Sequence, residues 1–278
     1  MARITMAQVA EAVGVNKGTV SRALKGDSRI SAETRQKIWD TAKSLGYQLD
    51  VVASGLSSRR TGMVGVVLER ADVPFLGEFL SGVSGVLSRC KMELLFMEAD
   101  GLTTSVSNVV RRLEGRKVDG LIWLGSPSHE LETDVNVPFV SVNGRRQRDN
   151  CFCVELETGR SAKRIEMLAA GRPVIYRSGE DAVMPFLAEL QRSRGQGEPF
   201  IIWDGLRQLP EKETPSLVCA DIRLARWLNA VCLRYPAREL GVLSARVLSN
   251  VLRENGVRPH ITLVQPPLVS PSGELLVS

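Results

Sequence analysis

Residues 4–24 read ITMAQVAEAVGVNKGTVSRAL, and the punctuation of this stretch decides the fold of the N-terminal part of the chain. Thr5 stands ahead of an apolar-periodic run, and Gln8 three positions on completes a capping box, so a helix starts here. Met6, Val9, Ala10 and Val13 share one face at helical spacing. Gly14 ends the helix and supplies a tight turn, with Val15 turned inward. Asn16 caps a second, short helix, Lys17 to Leu24. On it Val20 and Ala23 or Leu24 face the core, while Lys17, Gly18, Ser21 and Arg22 point away. Two short helices across a glycine turn are the helix-turn-helix unit, whose second helix enters the major groove of DNA. Ser31 caps a third helix with Glu33 at its positive end. Ile38, Ala42 and Leu45 are its expected inner stripe and Gly46 its stop. Three short helices make a small core, which is expected to lean on DNA or on a partner copy.

Charge supports that reading. The 278 residues carry 36 Lys and Arg against 31 Asp and Glu. Residues 1–60 hold ten of the cations and five of the carboxylates, so the remainder balances at 26 against 26. The whole excess of +5 therefore lies in the N-terminal segment, as in a phosphate-facing module on a neutral body. Lys25, Arg29 and Arg35 are further cations able to touch phosphate or to sit on a solvated face. A hydrophobic content of 44% supports a sizeable core. No signal peptide and no transmembrane run is expected. The five cysteines Cys90, Cys151, Cys153, Cys219 and Cys232 form no disulfide framework and point to a reducing cytoplasm. Cys151 and Cys153 make a lone C-x-C with only His129 and His260 for company, so no metal site is expected.

From Gly62 onward short apolar strands alternate with amphipathic helices. MVGVVLE, ELLFMEA, VDGLIWLG and VPFVSVN read as strands, and PFLGEFLSGVSGVLSRC and TSVSNVVRRLEGRK as helices. That alternation implies an α/β body with a parallel sheet covered on both faces. Glu69, Glu98 and Asp100 end strands, but no dinucleotide turn, Walker A run or nucleophile elbow accompanies them, so an enzyme is not expected.

Residues 4–67, with the run T-x-x-x-V-A-x-x-x-G-V-N-x-x-T-V-S-R-x-L from Thr5 to Leu24, resemble the headpiece, hinge and first strand of the lactose-repressor/galactose-repressor (LacI/GalR) family. The resemblance implies three parts: a headpiece over 2–49 with its helix-turn-helix at about 5–24, a hinge helix over 50–61, and a body over 62–278. It places Lys17, Gly18 and Arg22 at base-reading positions, Arg22 suited to the O6 and N7 of guanine. Thr5, Asn16, Thr19 and Ser21 fall where phosphates are held, and Leu56 where a leucine wedges into the minor groove. Gly18 offers no side chain, and Gly55 and Asp50 predict a looser hinge.

For the body the resemblance implies a periplasmic-binding-protein-like fold of two Rossmann-like subdomains, carried by RKVDGLIWLG, AAGRPVIYRSG, SLVCADIRLARWLNAV and the tail QPPLVSPSGE. It is a truncated version. Ala182 stands where relatives carry an arginine, and after ELGVLS the next helix is expected at once, over Ala245 to Asn255. Asn143 and Asp221 are the candidate effector-pocket residues. With several sugar-gripping groups gone, the body either takes a less polar ligand or serves for dimerisation alone. The implied function is a dimeric repressor of a metabolic operon. It would read a palindromic double-stranded operator, without cofactor or membrane, with a sugar-like small molecule as its effector if any.

Overall fold

The structure is a computed structural model. It describes residues 4–24, 26–47, 60–69, 73, 75–99, 105–125, 135–143, 152–179, 184–192, 194–205, 214–219, 222–253 and 257–276. The chain divides into two compact units, residues 1–61 and 62–278.

In the first unit the helices are α1 (Met6–Val13), α2 (Lys17–Leu24) and α3 (Ala32–Ser44). Each terminus follows from a local signal. Thr5 and Gln8 form the reciprocal capping box of α1. Gly14 takes φ +80°, and the Val15 amide returns to the Ala10 carbonyl at 3.0 Å, closing the helix in a Schellman turn. Gly46 at φ +69° repeats the device on α3, with the Tyr47 amide 2.8 Å from the Ala42 carbonyl. Val9, Ala10, Val20, Ala23, Ile38 and Ala42 are the buried core, with Met6, Val13, Val15, Leu24 and Tyr47 packed against them. Leu45 does not complete the inner stripe: it is 38% exposed. The helix ends at Ser44 and Leu45 is its C-cap. The chain swings away there and Tyr47, two residues on, fills the core instead.

The second unit holds two sheets. The first runs β10-β5-β4-β3-β1-β2, all parallel, from β1 (Met63–Leu68), β2 (Glu93–Glu98), β3 (Gly120–Leu124), β4 (Phe139–Val142), β5 (Phe152–Leu156) and β10 (Ile261–Val264). The second runs β11-β9-β8-β7-β6, from β6 (Val174–Ser178), β7 (Phe200–Asp204), β8 (Leu217–Cys219), β9 (Val231–Leu233) and an antiparallel edge, β11 (Leu268–Val269). Strand residues of β1, β3 and β4 are nearly all buried, as a sheet covered on both faces requires. Helix α4 (Leu76–Arg89) packs on β2, and α8 (Ala237–Arg253) packs on β3, β4 and β5. Helix α5 (Val106–Gly115) covers Val67, Leu121 and Trp123 on the opposite face. Helix α6 (Thr158–Ala169), a 3-10 helix over Pro185–Leu190 and α7 (Ile222–Trp227) go with the second sheet.

Helix α8 corrects the expectation that a helix begins at Ala245. ELGVLS forms its first turns, and the preceding strand is Val231–Leu233 instead. Leu240, Ser244, Val247, Leu248 and Leu252 are all buried at helical spacing, and that periodicity outweighs the strand-like look of the short apolar run.

The chain crosses between the two lobes three times: after β5, between β9 and α8, and between β10 and β11. The crossings brace one another. The Glu157 amide donates to the Val264 carbonyl at 2.8 Å and the Arg234 amide to the Pro267 carbonyl at 2.9 Å. The Gln265 side-chain amide donates to the Ser161 hydroxyl at 2.8 Å.

Candidate nucleic-acid interface

Helix α2 is the candidate interface because its two faces differ. Val20 and Ala23 are fully buried, which fixes the rotation of the helix. That rotation leaves Lys17, Gly18 and Arg22 exposed and Ser21 half-exposed on one continuous outer face. A two-turn helix is not stable by itself, and its N-terminus is held by Asn16. The Asn16 Oδ1 accepts from the Thr19 amide at 2.7 Å and from the Thr19 hydroxyl at 3.1 Å. The Thr19 hydroxyl proton is thus used inside the helix cap. Replacing Asn16 by alanine is expected to cost the headpiece about 1 kcal/mol. Asn16→Asp keeps the cap and places a negative charge at the interface. Thermal melts should therefore show it close to wild type, while titration with duplex DNA should show weakened binding.

Arg22 lies back along its helix, Nε donating to the Gly18 carbonyl at 3.2 Å. A methyl group on Gly18 would come within 3.2 Å of Asn16 Oδ1 and 4.0 Å of the Arg22 guanidinium. The absent side chain therefore leaves room for the cap and for the folded-back arginine together. Thr5 is exposed at the start of α1, its amide and hydroxyl both directed to Gln8.

Two of the further cations have structural employment. Arg29 chelates Asp27 through Nε and Nη2 at 2.7–3.2 Å, and this guanidinium holds the Asp27 carboxyl well below the usual carboxylate range. Arg35 reaches the Ile30 carbonyl at 3.0 Å and clamps the turn between α2 and α3. Lys25, Leu56 and the rest of the hinge up to residue 59, together with Asp221, Ala182 and Cys151, lie outside the described residues.

In the body, Asn143 stands just past the carboxyl end of β4 in the left-handed region, φ +55°. Its Oδ1 accepts from the Leu156 amide at 3.2 Å, and its NH2 donates to the Tyr235 hydroxyl at 2.5 Å. Tyr235 lies in the β9–α8 crossing, and its ring centroid is 4.2 Å from that of Phe75, ahead of α4. Burial pushes the Tyr235 hydroxyl up, so it stays protonated. A second polar centre at the strand ends escaped the sequence reading. Asp204 closes β7 and is fully buried. It accepts from the Tyr176 hydroxyl at 2.9 Å and the Met184 amide at 2.8 Å. Burial and then the Asp204 charge push the Tyr176 hydroxyl up, and the same causes raise the Cys219 thiol. The only sequence signal was an aspartate ending the apolar run FIIWD. Among the described residues no group of three His, Cys, Asp or Glu side chains is placed to hold a metal ion, and no helix is long and apolar enough to cross a membrane.

The chain therefore joins a helix-turn-helix unit to a two-lobed, triply crossed α/β body of binding-protein-like fold. Residues 5–50 match the family described as bacterial regulatory proteins, lacI family. Catabolite control protein A of Staphylococcus xylosus is 28% identical over 166 residues, covering 58% of this chain and 50% of that protein. The same protein of Staphylococcus epidermidis is 30% identical over 151 residues, covering 53% and 46%. The chain thus spans about half the length of the curated relatives it matches. In fold it is similar to a lac repressor dimer bound to operator and an anti-inducer, with a TM-score of 0.72 at 17% identity over 99% of this chain and 98% of that one. A lacI-family regulator from Silicibacter pomeroyi gives 0.70 at 17%, covering 96% and 98%.

Proposed function

We propose that this protein is a sequence-specific DNA-binding transcription regulator acting in the cytoplasm as a homodimeric repressor of a metabolic operon, and that it is not an enzyme. The observation that carries this is the outer face of α2. There Lys17, Gly18, Ser21 and Arg22 are presented together by a helix whose opposite face is locked into the headpiece core. Arg22 reads guanine through a bidentate pair. Thr5, Asn16, Thr19 and Ser21 hold the phosphates that set register, Thr19 after its hydroxyl turns away from Asn16. The hinge, with Leu56 as its wedge, opens the minor groove between half-sites. Two copies on a symmetric duplex supply the second headpiece.

The body serves first as the dimerisation scaffold. A second reading, a small-molecule sensor, is favoured by one neighbour of the same fold: a transcriptional regulator described as a CelR–cellobiose complex, with a TM-score of 0.50 at 20% identity over 98% of this chain. In that reading Asn143 and Asp221 face the effector.

Selection of duplexes from a random library by the intact chain tests the DNA function. The expected product is an inverted repeat bound by two chains. Recovery of unrelated sequences, or of one half-site bound by one chain, contradicts it.

A further inference from the structure

In α/β folds ligands settle outside the carboxyl ends of the strands, where loops from neighbouring strands converge. In this body a side chain of the protein reaches that region. Phe75 follows β1, Asn143 follows β4 and Leu156 ends β5, so three strand ends of the first lobe meet there. From the other lobe comes Tyr235, just past β9, only 6% exposed. It presents what an aromatic ligand would present: a ring packed 4.2 Å from Phe75 and a hydroxyl accepting from the Asn143 amide. Both polar atoms of the Asn143 side chain are engaged in this way, the oxygen by the Leu156 amide. In the second lobe the strand-end carboxylate of Asp204 is likewise consumed, by Tyr176 and by the backbone of Met184.

We propose that Tyr235 is a built-in ligand: its phenol fills the effector position between the two lobes and latches them, so the body holds its working state with no sugar bound. This rests on the reading of the body as an effector-type scaffold and is independent of how the headpiece reads DNA. Asn143 is then a latch residue rather than a sugar-gripping one. The crossing hydrogen bonds at Glu157, Arg234 and Gln265 hold the same junction.

The test removes the ligand and returns it as a free molecule. In the intact chain, Tyr235→Gly should lower the melting temperature by roughly 10 °C, the usual consequence of deleting a buried aromatic side chain in a domain of this size. Millimolar p-cresol, the excised side chain itself, should restore at least half of that loss by filling the cavity. Toluene, which lacks the hydroxyl, should restore less, and the difference should vanish in the Tyr235→Gly, Asn143→Ala double variant. The unmodified chain, titrated calorimetrically with ribose, glucose, glucose 6-phosphate, adenosine and p-cresol, should give no binding heat. Tyr235→Phe, which keeps the ring, should fold and melt a few degrees low, and it carries the test if the glycine variant does not fold. A sugar or nucleoside that binds the unmodified chain overturns the proposal. So does a folded Tyr235→Gly variant that p-cresol leaves unchanged, or a Tyr235→Phe variant that melts at the wild-type temperature. None of these readouts involves DNA, so they stand or fall apart from the operator-binding reading.

Discussion

Gly241→Ala should destabilise the body by about 3 kcal/mol, lowering its melting temperature by roughly 6–12 °C. Helices with side chains at their contact normally sit about 8–10 Å apart. Where α4 crosses α8, backbone meets backbone. A methyl on Gly241 would fall on the Phe79 carbonyl oxygen, with the Phe79 carbonyl carbon at 3.1 Å and the Val83 amide nitrogen at 3.2 Å. A methyl on Gly82, facing it, would fall on the Arg238 carbonyl oxygen, with the Val242 amide nitrogen at 3.0 Å. Carbonyls in helices cannot rotate aside as a flexible side chain does, so the helices must separate. Phe79 and Val83 on one helix and Leu240 and Ala245 on the other then lose their packing in the main core. Gly82→Ala should behave alike, and the double variant should lose less than the sum, because one separation of the helices relieves both clashes. Gly241 is six residues beyond Tyr235, so the same displacement pulls on the inter-lobe junction. Thermal unfolding of the intact chain checks this; a loss under about 1 kcal/mol would mean that the crossing is not tight.

Arg22→Ala should weaken binding to the chain's selected duplex by about 10- to 100-fold, the discrimination of one bidentate arginine–guanine pair. Binding to random duplex DNA should fall far less if Arg22 meets a base edge, since the non-specific term comes from phosphate contacts. The fold tolerates the change. Arg22 is exposed, and among the described residues its side chain donates a 3.2 Å hydrogen bond to the Gly18 carbonyl and lies close enough to Asp27 to feel its charge. Releasing that contact is a small cost, so the arginine turns outward readily on meeting the groove. Arg22→Lys should not rescue, because an ammonium lacks the planar fork. Equal losses on selected and random DNA would assign Arg22 to phosphate rather than to a base.

The headpiece was legible because its signals are local. Thr5 with Gln8, Gly14, Asn16, Ser31 and Gly46 each act within three or four residues, and each does in the structure what its position implied. Leu45 misled because periodicity runs on past the residue where the helix stops. In the body the alternation of strand and helix gave the parallel sheet, and the lobed fold followed from the family resemblance. What stayed hidden was long-range. The α4–α8 glycine crossing joins residues far apart in the chain, and nothing in SGVSGV or ELGVLS announces a partner. Asn143 and Tyr235 are 92 residues apart, and the sequence marked Asn143 as a pocket residue without showing what it would bond. Asp204 looked like any strand-end aspartate until Tyr176 and Met184 closed on it.

The proposed reading of duplex sequence rests on the exposed α2 face of a basic headpiece. Its most direct test is the affinity of the intact chain for its selected duplex and for random duplex, measured across a range of salt. A preference of at least roughly a thousandfold for the selected duplex is expected at physiological salt, with steep loss of both affinities as salt rises. Equal affinity for the two duplexes, or binding indifferent to salt, would contradict it.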